Sequence, residues 1–324
     1  MNRVLRVGSR GSELALIQTA WVRDRLQQAH RDLEISIEVI KTLGDGVSDT
    51  PLSKMGGKGI FTREIEQALL DGRIDIAVHS LKDLPTGLPE GLQIGAVSKR
   101  EDVRDLFIPH PSNSEKTLVR QSQGAKIATG SLRRRCQLLR KRPDLEIVDL
   151  RGNLNTRFRK LTESSWNGMV LAIAGVKRLG LLDRNWEALD LSWMLPAVGQ
   201  GALAIEMREG DEWIARLLSA AVHDSQTAAE TSAERALLRK LEGGCQVPLG
   251  AFGRIEVKEG ASRLLLEGVV GSLDGKRAIR DSVEGNPAEP ERLGIELAQK
   301  LLSQGAASIL EEIRGHVVAQ QDGV

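Results

Sequence analysis

"KIATGSLRRRCQLLRKRPDLEIVDLRGNLNTRFRKLTESSWNGMVLAIAG", residues 126–175, alternates two grammars. "KIATG" (126–130), "EIVDLR" (146–151) and "GMVLAIAG" (168–175) are short apolar runs that predict strands. "SLRRRCQLLRKR" (131–142) and "NLNTRFRKLTES" (153–164) carry helical spacing, each opened by a residue that can cap a helix. Strand and helix in strict alternation predict a parallel-rich sheet covered by helices on both faces.

The same grammar runs through the N-terminal third. "VLRVGS" (4–9), "EISIEVIKT" (34–42), "DIAVHS" (75–80) and "LQIGAVSK" (92–99) predict strands. Residues 12–30 predict a helix on which Leu14, Ile17, Trp21, Val22 and Leu26 keep helical spacing, and 60–72 predict another ending at Gly72. "PAVGQGALAIEM" (196–207) adds a turn and a strand. After about residue 220 the order changes: a long helix (227–244), three strand-like runs near 249–257, 263–272 and 276–284, and a helix at 290–306. The expected fold class is therefore α/β, with two lobes flanking a cleft and a small C-terminal α+β domain. The expected domains are 1–98 with 201–219, 99–200, and 220–324.

At 324 residues, two or three domains of about 100–200 residues each are expected. Lys and Arg number 45 against 44 Asp and Glu, so no chain-wide nucleic-acid footprint exists. Aromatics are 3% and Tyr is absent, which argues against a base-stacking platform. Two cysteines, Cys136 and Cys245, are too few for a disulfide framework, and the five histidines lack metal-ligand spacing. No metal is expected. Neither a secretory h-region nor a bilayer-length apolar run is visible, so a cytoplasmic protein with no membrane partner is expected.

Charge placement is more informative. "GSRGS" (8–12), "GGKG" (56–59), "TGSLRRR" (129–135) and "RGNLNTR" (151–157) each put Arg or Lys at a strand-to-helix junction. A helix N-terminus already carries free N–H groups and partial positive charge, so each added cation there costs about 0.3–1 kcal/mol. Repetition of that misfit points to a bound anion, for which backbone N–H groups and guanidiniums converge. In open α/β sheets such junctions face the ligand. "AVHSLKDLP" (77–85) sets Asp83 at a strand's carboxyl end beside Lys82. His79 reads as strand packing. Cys136 falls inside a helix and reads as structural, whereas Cys245 follows Gly243 and Gly244 in a loop.

"HSLKDLP" (79–85), "GSLRRRCQL" (130–138), "LRGNLNTR" (150–157), "AVGQGALAIE" (197–206) and "LEGGCQVPLG" (241–250) resemble, in order and spacing, the motifs of the porphobilinogen deaminase family, also called hydroxymethylbilane synthases. The resemblance runs from about residue 3 to the final helix. It implies two lobes like those of periplasmic binding proteins and a third domain. It implies an enzyme of tetrapyrrole and heme biosynthesis that condenses four porphobilinogen molecules head to tail with loss of ammonia. The growing chain sits on a dipyrromethane cofactor held through a thioether to Cys245, and hydrolysis releases hydroxymethylbilane.

By the same resemblance, Arg10, Ser12, Lys82, Asp83, Thr129, Ser131, Arg133, Arg134 and Arg157 would bind the cofactor. Arg10, Ser80, Arg151, Arg157, Arg178 and Gln200 would bind substrate. Asp83 would also be catalytic, hydrogen-bonding pyrrole N–H groups and stabilising the cation formed when ammonia leaves. Lys54 and Lys58 would belong to a lid, and the enzyme would be a monomer acting on porphobilinogen. The chain departs from some relatives at Gly130, where they carry Ser; Arg135 has no assigned role. Two other readings stand beside this one: a two-lobed anion-binding protein without catalysis, and a nucleic-acid-binding protein using the basic junctions.

Overall fold

A computed structural model describes residues 4–43, 59, 62–241, 247–258 and 260–322, with side chains to 315. Lys54, Lys58 and Cys245 lie outside the described residues. The chain falls into two compact units, which divide near Glu101 and Val198 and again after Ala229.

The first unit holds β1 (Leu5–Ser9), α1 (Glu13–Ala29), β2 (Ile35–Val39), α2 (Arg63–Leu70), β3 (Ile76–Ser80) and β4 (Leu92–Val97). The returning chain completes it with β10 (Leu203–Arg208) and α6 (Glu212–Ala221). The sheet order is β2-β1-β3-β10-β4. One face packs Val7, Ile76, Val78, Ile205 and Met207 against Val22, Leu26, Ile214 and Leu218; the other packs Ala77 with Ile65, Ala68 and Leu69 of α2. Contrary to the predicted apolar stripe, Trp21 is exposed, and α1 buries Gln18 and Thr19 instead. Both are satisfied by strand ends: Thr19 Oγ1 donates to Ser9 Oγ at 2.8 Å and Gln18 Nε2 to Ser80 Oγ at 3.0 Å.

The second unit contains β5 (Asp105–Pro109), β6 (Lys126–Ala128), α3 (Leu132–Lys141), β7 (Glu146–Val148), α4 (Leu154–Glu163), β8 (Gly168–Ala172), α5 (Ile173–Arg178) and β9 (Glu187–Ala188). Its sheet order, β7-β6-β8-β5-β9, repeats the first arrangement. In each sheet two neighbour pairs are parallel and two antiparallel, so the expected parallel-rich sheets are mixed. In the first sheet β10, arriving from the other unit, supplies the reversed strand; in the second β5 does so on the way in. The strand expected over 168–175 ends at Ala172, where the chain passes directly into α5.

The same unit carries an antiparallel sheet, β11 (Leu249–Lys258), β12 (Ala261–Gly271) and β13 (Ala278–Gly285), preceded by α7 (Ser225–Lys240). Leu237, Leu241, Leu266, Leu293, Leu297 and Leu301 build its core. The helix expected over 290–306 is α8 (Pro290–Leu301), which kinks at Gly305 (φ 103°) into α9 (Ala307–Asp322).

Candidate active site

Every described candidate except Arg178 lies at or just beyond one edge of its own sheet, where the parallel strands end. In the first unit, β1 delivers Arg10 and then Ser12, which caps α1 by accepting from Ala15 N at 3.4 Å. β3 delivers Ser80 and a single 3₁₀ turn, Leu81–Asp83. Leu81 is buried and its N–H donates to Ala202 O at 3.0 Å, while Lys82 is half-buried and Asp83 exposed. Gly199 (φ 71°) lies against Leu81, where a Cβ would stand 2.8 Å from Leu81 Cγ. Gln200 is buried just ahead of β10, whose Leu203 pairs with Ser80, so it shares this edge. Its carbonyl accepts from Arg100 Nε at 2.9 Å.

In the second unit, β6 leads to buried Thr129 and to Ser131, the cap of α3, which accepts from Arg134 N at 3.4 Å. β7 leads to Arg151, paired with Asp149 at 2.9 Å, and to α4, capped by Asn153 accepting from Thr156 N at 2.9 Å. Arg157 Nε donates to Gly152 O at 2.8 Å. Arg178 ends α5, and Asn155 is exposed on α4. Gly130 brings the two junctions together: a Cβ there would stand 2.6 Å from Leu150 O.

Arg133 and Arg134 are not solvated surface charge but are 4% and 6% exposed. The anion they meet within the chain is Asp105, the first residue of β5, which sequence reading missed. Arg133 Nη1 donates to Asp105 Oδ2 at 2.6 Å and to Leu195 O at 2.8 Å. Arg134 reaches Asp105 Oδ1 through Nε at 3.1 Å and Nη2 at 2.9 Å, and Val170 O through Nη1 at 3.1 Å. Burial alone would raise the Asp105 carboxyl, but attraction and hydrogen bonds from both guanidiniums hold it well below the usual carboxylate range. Two guanidiniums thus converge on one carboxylate at the start of α3. Arg135, by contrast, is exposed and donates to Leu273 O at 3.2 Å. Nothing in the sequence around 105 signals this pairing, because the partners are 28 and 29 residues apart.

Cys136 is buried against Gly271, and burial pushes its thiol up to about 12. It is an inert packing group. Among the described residues no cluster of His, Cys, Asp and Glu has metal-site geometry, and no helix is long and apolar enough to cross a membrane.

Two family models match: "Porphobilinogen deaminase, dipyromethane cofactor binding domain" over residues 5–216, and "Porphobilinogen deaminase, C-terminal domain" over 228–303. A porphobilinogen deaminase of Carboxydothermus hydrogenoformans is 52% identical over 97% of this chain and 98% of its own. One from Chlorobium phaeobacteroides is 50% identical over 97% and 99%. The chain belongs to the porphobilinogen deaminase family. Among solved structures, the periplasmic VFT2 domain of Bordetella pertussis BvgS covers 67% of this chain and 86% of its own, with 15% identity and a TM-score of 0.41.

As a porphobilinogen deaminase, the enzyme forms hydroxymethylbilane and uses a dipyrromethane cofactor. The donor set suits that group. Pyrroles bearing acetate and propionate are polyanionic, and guanidiniums bind carboxylates in bidentate fashion. Two arginines beside a capped helix N-terminus at the start of α3 are donors of the kind such carboxylates require.

Proposed function

We propose that this chain carries out the head-to-tail condensation of four porphobilinogen molecules with loss of ammonia, closed by hydrolytic release. The observation that carries this reading is the gathering of Arg10, Ser12, Ser80, Lys82, Asp83 and Gln200 at one edge of the first sheet, and of Thr129, Ser131, Arg133, Arg134, Arg151 and Arg157 at the matching edge of the second. When bound, the dipyrromethane supplies the primer to which each new pyrrole is joined. Cys245 is its tether.

The proposed roles divide the residues into two sets. Arg10, Ser12, Lys82, Thr129, Ser131, Arg133 and Arg134 hold cofactor carboxylates. Arg151, Arg157, Arg178, Ser80 and Gln200, with Arg10, hold those of incoming porphobilinogen. Asp83 stands exposed at the tip of a short turn, free of the burial that occupies Asp105. It accepts hydrogen bonds from pyrrole N–H groups and stabilises positive charge developing on porphobilinogen as ammonia departs, which is electrostatic catalysis. Lys54 and Lys58 belong to a lid over this chemistry. The enzyme works as a cytoplasmic monomer, with three domains at 1–98 with 201–219, 99–200 and 220–324.

Intact mass tests the tether. The purified wild-type chain is expected to exceed its sequence mass by one dipyrromethane, and Cys245→Ser to match its own sequence mass and be nearly inactive. A fully active Cys245→Ser enzyme without added mass would falsify the tether. Adduct-free wild-type protein would favour the two-lobed anion-binding reading instead.

A further inference from the structure

A buried imidazole–carboxylate pair lies on the sheet just before the turn that carries Lys82 and Asp83. His79 is on β3 and Glu206 on β10. The antiparallel register sets His79 opposite Ala204 and Ala77 opposite Glu206, so the two side chains are diagonal neighbours on the face covered by α2. His79 Nε2 and Glu206 Oε2 are 3.0 Å apart, and the side chains are 4% and 0% exposed. Glu66, from the first turn of α2, is a third buried titratable group beside them. Glu206 Oε1 is buried with no hydrogen-bond partner among the described residues.

Stability does not require this arrangement. The surrounding layer is apolar, with Ile65, Ala68, Leu69, Ala77 and Leu92. A buried ion pair is often replaceable by well-packed hydrophobic residues without loss, and an unmatched carboxylate oxygen is costly. What apolar side chains do poorly is fix register, since a slip of two residues along a strand leaves an apolar face apolar. An imidazole reaches its carboxylate in one register only. Register matters here because the ladder ends at Ser80 and Leu203, and the chain turns at once through Leu81–Asp83.

We infer that His79 and Glu206 are positioning residues: they lock β3 to β10 so that Lys82 and Asp83 leave the sheet at a fixed point. The inference rests on the proposed role of Asp83. Its test replaces both partners, His79→Phe with Glu206→Leu, so that neither is left buried without the other. This enzyme is expected to melt near the wild-type temperature and carry the cofactor mass. Its kcat per cofactor-loaded molecule should fall roughly 10–100-fold, the cost of a small misplacement of a reacting group, with KM little changed. Glu206→Gln, which keeps an acceptor for His79, should recover most of that rate.

In an Asp83→Asn background the apolar pair should have almost no further effect, because both changes act through one group. Full kcat in the folded apolar variant, or full additivity with Asp83→Asn, overturns the lock while leaving the Asp83 reading intact. Wild-type turnover by Asp83→Asn alone overturns the Asp83 reading, and the purpose of the lock with it. If the apolar pair does not fold, Glu206→Ala, read as kcat per loaded molecule in both backgrounds, decides the same question.

Discussion

Asp83 and Asp105 stand at the edges of two sheets of the same design, and the chain treats them in opposite ways. Asp83 is exposed at the tip of a three-residue turn. Asp105 is fully buried and accepts from both Arg133 and Arg134. An acid that is to meet a cation arising during turnover must remain accessible. An acid that organises binding groups must be neutralised and immobile. The contrast teaches that the same residue type at the edges of two similar sheets is assigned its task by what covers it.

The comparison is most severely strained by Asp105→Ala. Two guanidiniums would remain buried without their carboxylate, and about 3–5 kcal/mol of stability should be lost, measured by denaturant melts. A change below about 0.5 kcal/mol would mean that Asp105 is no more organising than a surface acid. Because the Asp105 carboxyl is held low in the fold, its stabilisation is present above the ordinary aspartate pKa of about 3.9 and is lost as the pH falls below it. Asp105→Asn should therefore flatten the acid limb of the stability curve.

Asp83→Asn should invert that pattern. Turnover is expected to fall about 10²–10³-fold, roughly 3–4 kcal/mol, with stability changed by no more than about 0.5 kcal/mol. Asp83→Glu keeps the charge one methylene away and should retain more activity. Steady-state rates beside thermal melts separate the two acids, and an active Asn enzyme would remove Asp83 from the mechanism.

Gly130 sharpens the picture of the second edge. Gly130→Ser places a Cβ 2.6 Å from a backbone carbonyl, Leu150 O, so the two junctions must part. The cost should be roughly 1–3 kcal/mol, as for other overpacked sites. An unchanged melt would show that the junctions separate freely, as relatives with Ser at this position would require.

The smallest effect concerns Glu66 in the first unit. Burial raises its carboxyl above the ordinary glutamate value, with Glu206 raising it further and Thr62, His79 and Arg63 opposing. A carboxyl raised in the fold contributes its full stability below the unfolded pKa and loses it as the pH rises through the folded one. Glu66→Gln should remove that loss: little difference from wild type is expected near pH 4 and a gain near pH 8. A steeper loss in Glu66→Gln would contradict the burial argument.

Much of this was written locally. The alternation over 126–175 is set by side-chain periodicity, and it yields α3, α4 and their flanking strands within a few residues. Ser12 and Ser131 cap the helices that their positions predict, since capping needs only the next three residues. The cations at the junctions are likewise legible, because their misfit is with their own helix. The family motifs are local strings too, and they carry the enzyme's activity and its cofactor.

What the tertiary structure decided is every pairing across distance. The sheets are mixed because β10 and β5 run against their neighbours, and no local pattern states a strand's direction. β5 itself is a five-residue run ending in Pro109, too short for a period to declare it. Whether Arg133 and Arg134 are surface charge or buried donors depends on Asp105, and whether His79 is packing or half of a buried imidazole–carboxylate contact depends on Glu206, 127 residues away. Burial and charge neutralisation arise only when remote segments exclude water together, so the sequence named the groups that carry charge, and the fold chose which of them stay free to act.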